Sequence, residues 1–207
     1  MRSAASTPHR NPFGDDAAAF SAGRLGMWLF LAAVGMLFAA TIVGFLVIRT
    51  QLTLRDQWPS NLPPLPDLLL VSTILLIVSS ATMQAALVAA RRGRPRPLRL
   101  HLLVTTGLGL LFLGLQSWCW IVWLDQLTNL WAASNSFRFA LSSFYVLTGV
   151  HAAHVIGGLI PLGIVTQRAF AGRYTPDAHV GVHLCAMYWH FLDGVWVLLY
   201  LTLILAV

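Results

Sequence analysis

Two polar residues in the middle of the last apolar stretch are the strongest candidates for chemistry in this chain. His190 and Asp193 lie three residues apart, and His183 lies seven residues before His190. Residues three apart on a helix share a face within one turn, so His190 and Asp193 can share a hydrogen bond or a proton. An aspartate at the centre of a membrane helix costs about 2.5–3.5 kcal/mol on insertion scales, so its presence indicates a role.

A second polar face lies on the fourth apolar stretch. Its members follow a three-residue step along one side of a helix and are Tyr145, Thr148, His151 and His154. Such a face is expected to meet protein or water instead of lipid. A neighbouring row of small residues, at four-residue intervals, consists of Gly149, Ala153 and Gly157. This spacing lets membrane helices approach closely, so it predicts a packing seam.

Three interpretations of these polar residues remain open at this point. In the first, the histidines hydrogen-bond to neighbouring helices within a packed bundle. In the second, His151 or His154 on one helix and His183 or His190 on another hold a haem iron, as in a membrane haem b electron carrier. In the third, Asp193 and His190 serve a transporter of small solutes.

Other kinds of chemistry have no motif in the sequence. There is no Gly-rich loop before a lysine, no GxSxG and no HExxH. Cys119 and Cys185 lie inside apolar runs without a CxxC motif, which is typical of buried packing residues. We therefore expect no catalytic residue on this chain.

The composition requires a membrane environment for the elements that position these residues. Hydrophobic residues make up 57% of the 207 residues and charged residues only 10%, and the mean hydropathy is +0.74. A water-soluble surface could hardly be built from such a composition. The chain has no lysine and no glutamate, so its net charge of +6 comes from 13 arginines and seven aspartates. Because most arginines flank apolar runs, anionic lipid is the expected partner, and nucleic acid is not.

Five apolar stretches are long enough to cross a bilayer core, which requires about 20 residues as a helix. They are Leu25–Ile48, Leu68–Ala90, Leu100–Leu124, Phe139–Thr166 and Val180–Val207. The predicted fold is all-α, a polytopic bundle of five transmembrane helices spanning residues 25–207. Residues 1–24 form a polar leader that we expect to be mobile. The proline-rich residues 58–66 cannot continue a helix and predict an extended loop.

The arginines predict the orientation of the bundle. Ten lie on the amino-terminal side of the predicted topology, and only Arg49, Arg55 and Arg138 lie on the other side. Short cytoplasmic segments carry an excess of arginine and lysine. The sequence therefore predicts a cytoplasmic amino terminus and a carboxyl terminus outside.

Two segments carry a resemblance to a known family. Residues 188–196, YWHFLDGVW, resemble the YWHFxDxVW signature of subunit III of the haem-copper oxidases, which are cytochrome c and quinol oxidases. Residues 144–158, FYVLTGVHAAHVIGG, are similar to the FYxxTGxHxxHVxxG helix of the same family. Weaker similarity lies in residues 25–31, 79–83 and 112–116. Five spans match the shorter bacterial form, which corresponds to the last five helices of the seven-helix version.

The resemblance implies a supporting subunit in a bacterial cytoplasmic membrane, without a catalytic centre or cofactor of its own. Haem and copper would reside on subunit I, and electrons would enter through subunit II or a replacement. This chain would pack beside subunit I, bind phospholipid and help to maintain proton uptake. The residues of both polar faces, above all His151, His154, His190 and Asp193, would be structural or proton-linked anchors.

The chain departs from the family at three intramembrane positions. Val34, Cys119 and His183 stand where the family often has carboxylates. This departure keeps open an alternative within the wider family, a subunit III-like partner of a nitric oxide reductase. No residue is expected to touch the electron donor, so the sequence does not distinguish cytochrome c from quinol.

Overall fold

The computed structural model describes the backbone of residues 16–57, 67–131 and 135–206, and the side chains of residues 21–57, 67–125 and 142–205. These residues form five α-helices and, within those ranges, no β-strand. The helices are α1 (Asp16–Leu54), α2 (Leu68–Arg91), α3 (Pro95–Trp131), α4 (Asn135–Phe170) and α5 (Val180–Ala206).

All five helices are long and apolar enough to cross a membrane, so the predicted fold class is confirmed. Several helices extend beyond the predicted apolar stretches, because no proline or left-handed glycine stops them where the apolar run ends. α1 begins at Asp16 and so includes the last part of the predicted leader. The rest of the leader and the predicted loop at residues 58–66 lie outside the described residues.

Two glycines end helices at the same end of the bundle. Gly93 has a φ of +61° and Gly172 a φ of +68°, a conformation that glycine adopts without a Cβ clash. After α2, the Gly93 and Arg94 amides donate to the carbonyls of Ala90 and Ala89. The residues around Gly172 form the same pair of bonds, which is the Schellman motif. The turn at Gly93 places Pro95 at the first position of α3, where proline is favoured.

Helices α2 to α5 form a ring in chain order, closed by contact between α5 and α2. α1 lies outside the ring and packs against α4 and α5. Trp189 and Trp196 of α5, each at most 1% exposed, are the largest of the fully buried side chains described. Large apolar side chains such as Met36 and Leu205 face outward, as expected for a surface in contact with lipid. The fold therefore places one face of α5 at the centre of the bundle.

Candidate functional site

Successive residues of α5 point towards different neighbouring helices, because each residue of an α-helix is rotated by about 100° from the last. The Tyr188 hydroxyl donates to the His154 carbonyl on α4, at 3.1 Å. The Tyr188 ring lies against Gly158, where a Cβ would be 2.9 Å from Cε1. On the α1 side, Phe191 lies against Gly35, where a Cβ would be 3.7 Å from Cζ. Tyr188 and Phe191 thus connect α5 to α4 and α1.

The two buried tryptophans connect α5 to α2 and α3. Trp189 Nε1 donates to Ser79 Oγ on α2 at 3.0 Å, and its ring lies against Gly109 on α3. Two turns further along, Trp196 Nε1 donates to Thr73 Oγ1 at 3.0 Å. Each indole therefore has a hydrogen-bond acceptor inside the apolar core, which removes the cost of burying its N–H group.

His190 and Asp193 meet at one serine of α2. His190 Nδ1 lies 2.7 Å from Ser80 Oγ, and its Nε2 lies 3.3 Å from Gln84 Oε1. The carboxyl group of Asp193, which is only 8% exposed, lies near the same hydroxyl, and its Oδ2 has no hydrogen-bond partner among the described residues. A hydroxyl can accept one hydrogen bond while donating another, so Ser80 can link the imidazole to the carboxyl group. Both members of the polar pair expected from the sequence therefore lie beside one residue of another helix.

The polar face of α4 is anchored to α3 at one end. The Tyr145 hydroxyl donates to the Trp120 carbonyl at 2.8 Å, and Trp120 Nε1 donates to Thr148 Oγ1 at 3.1 Å. His154 is bonded within its own helix, with Nδ1 2.8 Å from the Val150 carbonyl oxygen. This face meets protein, as its polar residues require.

His151 lies at the centre of an aromatic cluster and is fully buried. Its ring centroid is 4.9 Å from that of Trp196 and 5.8 Å from that of Phe112, with Phe38 at 6.1 Å. Neither ring nitrogen of His151 has a hydrogen-bond partner among the side chains and backbone described. The same is true of both amide atoms of Gln116, a buried residue that the sequence interpretation did not select.

Two of the four histidines considered as haem ligands, His151 and His190, are already surrounded by other groups of this chain. Aromatic rings from three other helices pack around His151. Both nitrogens of His190 already face polar groups of α2. Within the described ranges, no three histidine, cysteine or acidic residues come together as metal ligands could.

The predicted small-residue seam has little contact inside this chain. A Cβ added to Gly149 would meet nothing within 4 Å, and Ala153 is exposed. Gly157 lies near only the Tyr188 hydroxyl, at 3.9 Å, whereas the close approach is at Gly158. Close packing of a helix along the predicted row therefore stays a prediction. The sequence interpretation missed Gly109 and Gly158, which no four-residue repeat identifies.

Two of the three positions that depart from the resembled family are buried in the core. Val34 is 7% exposed and Cys119 is 1% exposed, whereas His183 is half-buried near the start of α5. An uncompensated carboxylate at either buried position would carry a large desolvation cost. The apolar side chains found there are thus consistent with their surroundings.

Comparisons with known proteins agree with this arrangement. Residues 10–206 match the family model for cytochrome c oxidase subunit III. The chain belongs to the cytochrome c oxidase subunit III family. It is therefore a subunit III of the haem-copper oxidases, part of an oxidoreductase complex with other subunits, and the resemblance noted in the sequence is confirmed.

Members of this family with similar sequences come from several bacteria. Cytochrome c oxidase subunit 3 of Thermostichus vulcanus is 30% identical over 179 residues, 85% of this chain and 83% of the relative. The protein of the same name from Synechocystis sp. is 33% identical over 180 residues, 85% of this chain and 72% of the relative. Quinol oxidase subunit 3 of Bacillus subtilis is 32% identical over 177 residues, 85% and 83% of the two chains. None of these three is named as a partner of a nitric oxide reductase.

Proposed function

We propose that this subunit III has no catalytic centre and stabilises the haem- and copper-bearing subunit I of a terminal oxidase, in a complex that also holds subunit II. The supporting observation is the polar surface of α2 and α5. Gln84 is exposed and His190 is half-buried, near the middle of their spans. Polar groups at that depth are costly against lipid, so this surface suits contact with another membrane protein.

The charges support an orientation with the amino terminus in the cytoplasm of a bacterium. The ends of α2 and α4 that carry Arg91 and Arg168 lie on the arginine-rich side. With that side facing the cytoplasm, the cytoplasmic connections between helices carry the excess of arginine that is expected there. The complex would then lie in the cytoplasmic membrane.

A groove between α1, α4 and α5 suits a phospholipid. Its volume is about 530 Å³, and it is lined almost wholly by apolar and small groups. The lining includes Met27, Phe30, Pro161 and Tyr188, with Arg168 at one end. Gly157 and Arg168 are 11 residues apart on α4, so the groove extends about 16 Å along the helix. We propose that an acyl chain occupies the groove and that Arg168 binds the phosphate.

A role in proton uptake would rest on His190 and Asp193. The family's carboxylates are replaced at Val34, Cys119 and His183. His190 bonds to Ser80 of α2, and Asp193 lies near the same hydroxyl. We propose that the main role of this pair is to hold the subunit in place. Through that role it would influence the delivery of protons by subunit I. The electron donor, cytochrome c or quinol, would bind elsewhere in the complex.

Copurification tests the proposed function. The full chain, tagged at its carboxyl terminus and expressed in its native host, should be isolated with subunits I and II. The reduced-minus-oxidised spectrum of the complex should show haem, and the chain separated from it should show none. A chain that is stable alone and carries its own Soret band would overturn the proposal in favour of a haem b carrier.

A further inference from the structure

Two buried polar side chains of α3 and α4 lack protein partners. Gln116 is 1% exposed and His151 is 0% exposed. The amide nitrogen and oxygen of Gln116 and both ring nitrogens of His151 have no hydrogen-bond partner in the part of the chain that the structure describes. Buried polar groups in proteins are almost always bonded to protein or to ordered water. We therefore expect a bound ligand to supply hydrogen bonds to these four atoms.

Contacts on either side place the two residues at the same level of the bundle. The ring of Phe112 on α3 packs with its edge against that of His151 on α4. Trp120 on α3 donates to Thr148, one turn before His151. Gln116 lies four residues from both Phe112 and Trp120, so it shares their face of α3. Gln116 thus lies on the α4-facing side of α3, at a height between Thr148 and His151.

The neighbouring polar groups are already bonded elsewhere. The Thr148 hydroxyl donates to the Phe144 carbonyl and accepts from Trp120. The Trp196 indole, which packs against His151, donates to Thr73 on the opposite side. The other two rings packed against His151, those of Phe112 and Phe38, offer no ordinary donor or acceptor. Within the described part of the chain, no protein group therefore bonds to either residue.

We propose that Gln116 and His151 form an internal binding site for water between α3 and α4. The amide supplies two donors and an acceptor, and a neutral imidazole supplies one donor and one acceptor. Water matches this set because it both donates and accepts, and a buried water typically makes about three hydrogen bonds. An ion does not match, since neither side chain supplies a compensating charge. The inference does not depend on the role proposed for the subunit.

A high-resolution map of the complex tests the site directly. The full chain is purified with its native partners and imaged by electron cryomicroscopy at a resolution that shows ordered water. We expect density about 2.7–3.2 Å from the Gln116 amide and from a ring nitrogen of His151. A direct hydrogen bond between the two side chains, or well-ordered side chains with no density between them, would overturn the proposal. If no oxidase subunit copurifies, the proposed function fails, and a high-resolution crystal structure of the isolated chain decides the water site by the same criteria.

Energetic coupling provides a second test in the same complex. Gln116→Met and His151→Phe each leave the bound water with fewer partners, so each should make thermal loss of the subunit roughly tenfold faster. The double variant should be no faster than the worse single variant, since it removes the polar site altogether. A rate of thermal loss in the double variant equal to the product of the two single effects would contradict the proposal.

Two further variants distinguish the loss of the water site from a general folding defect. Gln84→Met changes an exposed glutamine that bonds to His190 and not to the proposed water. Because the two sites are independent, the increases in the rate of thermal loss caused by Gln84→Met and His151→Phe should multiply when the variants are combined. His151→Gln retains a donor and an acceptor in a buried side chain and should restore most of the lifetime lost in His151→Phe. Failure of this rescue would argue that packing, and not hydration, explains the His151→Phe result.

Discussion

The indole of Trp189 on α5 lies directly against Gly109 on α3, at the centre of the ring formed by α2 to α5. A Cβ built on Gly109 would be 2.9 Å from Cη2 of Trp189, closer than carbon atoms pack. The other end of the indole is fixed by the bond to Ser79, so the ring cannot easily withdraw. The absence of a side chain at Gly109 therefore sets the distance between α3 and α5.

We expect Gly109→Ala to destabilise the subunit by about 1–3 kcal/mol, the usual cost of overpacking a core. Gly107→Ala is the matched control, because a Cβ there meets nothing within 4 Å. It should be neutral or slightly stabilising, since alanine has the better helix propensity. The measurement is the thermal release of subunit III from the purified oxidase. Equal thermal release of the two variants would show that the contact with Trp189 does not limit how closely α3 and α5 pack.

Gly158→Ala should weaken the packing of α4 against α5. A Cβ there would lie 2.9 Å from Cε1 of Tyr188, whose hydroxyl is held by the His154 carbonyl. Gly163→Ala on the same helix has open space and serves as the control. We expect a loss of about 1–3 kcal/mol for the first variant alone, measured as above. Rescue of Gly158→Ala by Tyr188→Leu would identify the ring as the cause.

The hydrogen bond between Trp196 and Thr73 should contribute a measurable coupling between α5 and α2. A double-mutant cycle of Trp196→Phe and Thr73→Val is expected to give about 0.5–1.5 kcal/mol. Thr106→Val replaces Thr73→Val in the control cycle, because the Thr106 hydroxyl donates to the Leu102 carbonyl of its own helix. A coupling of the same size in both cycles would contradict this assignment.

Asp193→Asn should shorten the working life of the oxidase with little effect on its initial rate. The variant retains a polar group beside Ser80 but removes the carboxylate. We expect earlier loss of activity during sustained turnover and easier dissociation of the subunit, measured by oxygen consumption and gel analysis. Asp177→Asn, in the connection before α5, is the exposed control. Immediate loss of oxygen reduction in an intact complex would contradict the supporting role.

Arg168→Ala should reduce the phospholipid that remains bound after detergent purification. The guanidinium group lines the end of the groove between α1, α4 and α5 and would bind the phosphate group there. Arg173→Ala removes an exposed arginine that does not line the groove. Native mass spectrometry of the complex should show lipid loss only in the first variant. Equal lipid content in both variants would exclude Arg168 as the headgroup ligand.

The sequence was sufficient for the five helices and the family, because helix length and the YWHFLDGVW segment are both read along the chain. It could not supply contacts between helices. The His190 and Asp193 pair was identified, but Ser80 of α2 lies beside both residues, and spacing on α5 does not reveal that neighbour. Likewise, the four-residue row pointed to Gly157, whereas rotation of α4 brings Gly158 against Tyr188.

Because α5 contacts α1, α2 and α4 and reaches α3 through Trp189, it is the element on which the other four converge. During synthesis the chain emerges from its amino terminus, so α5 enters the membrane after its neighbours. Until that moment Ser79, Ser80 and Thr73 have no tryptophan or histidine of α5 beside them. Completion of the bundle is therefore a late event in biogenesis, and a chain interrupted before α5 presents polar faces that quality-control proteases can recognise.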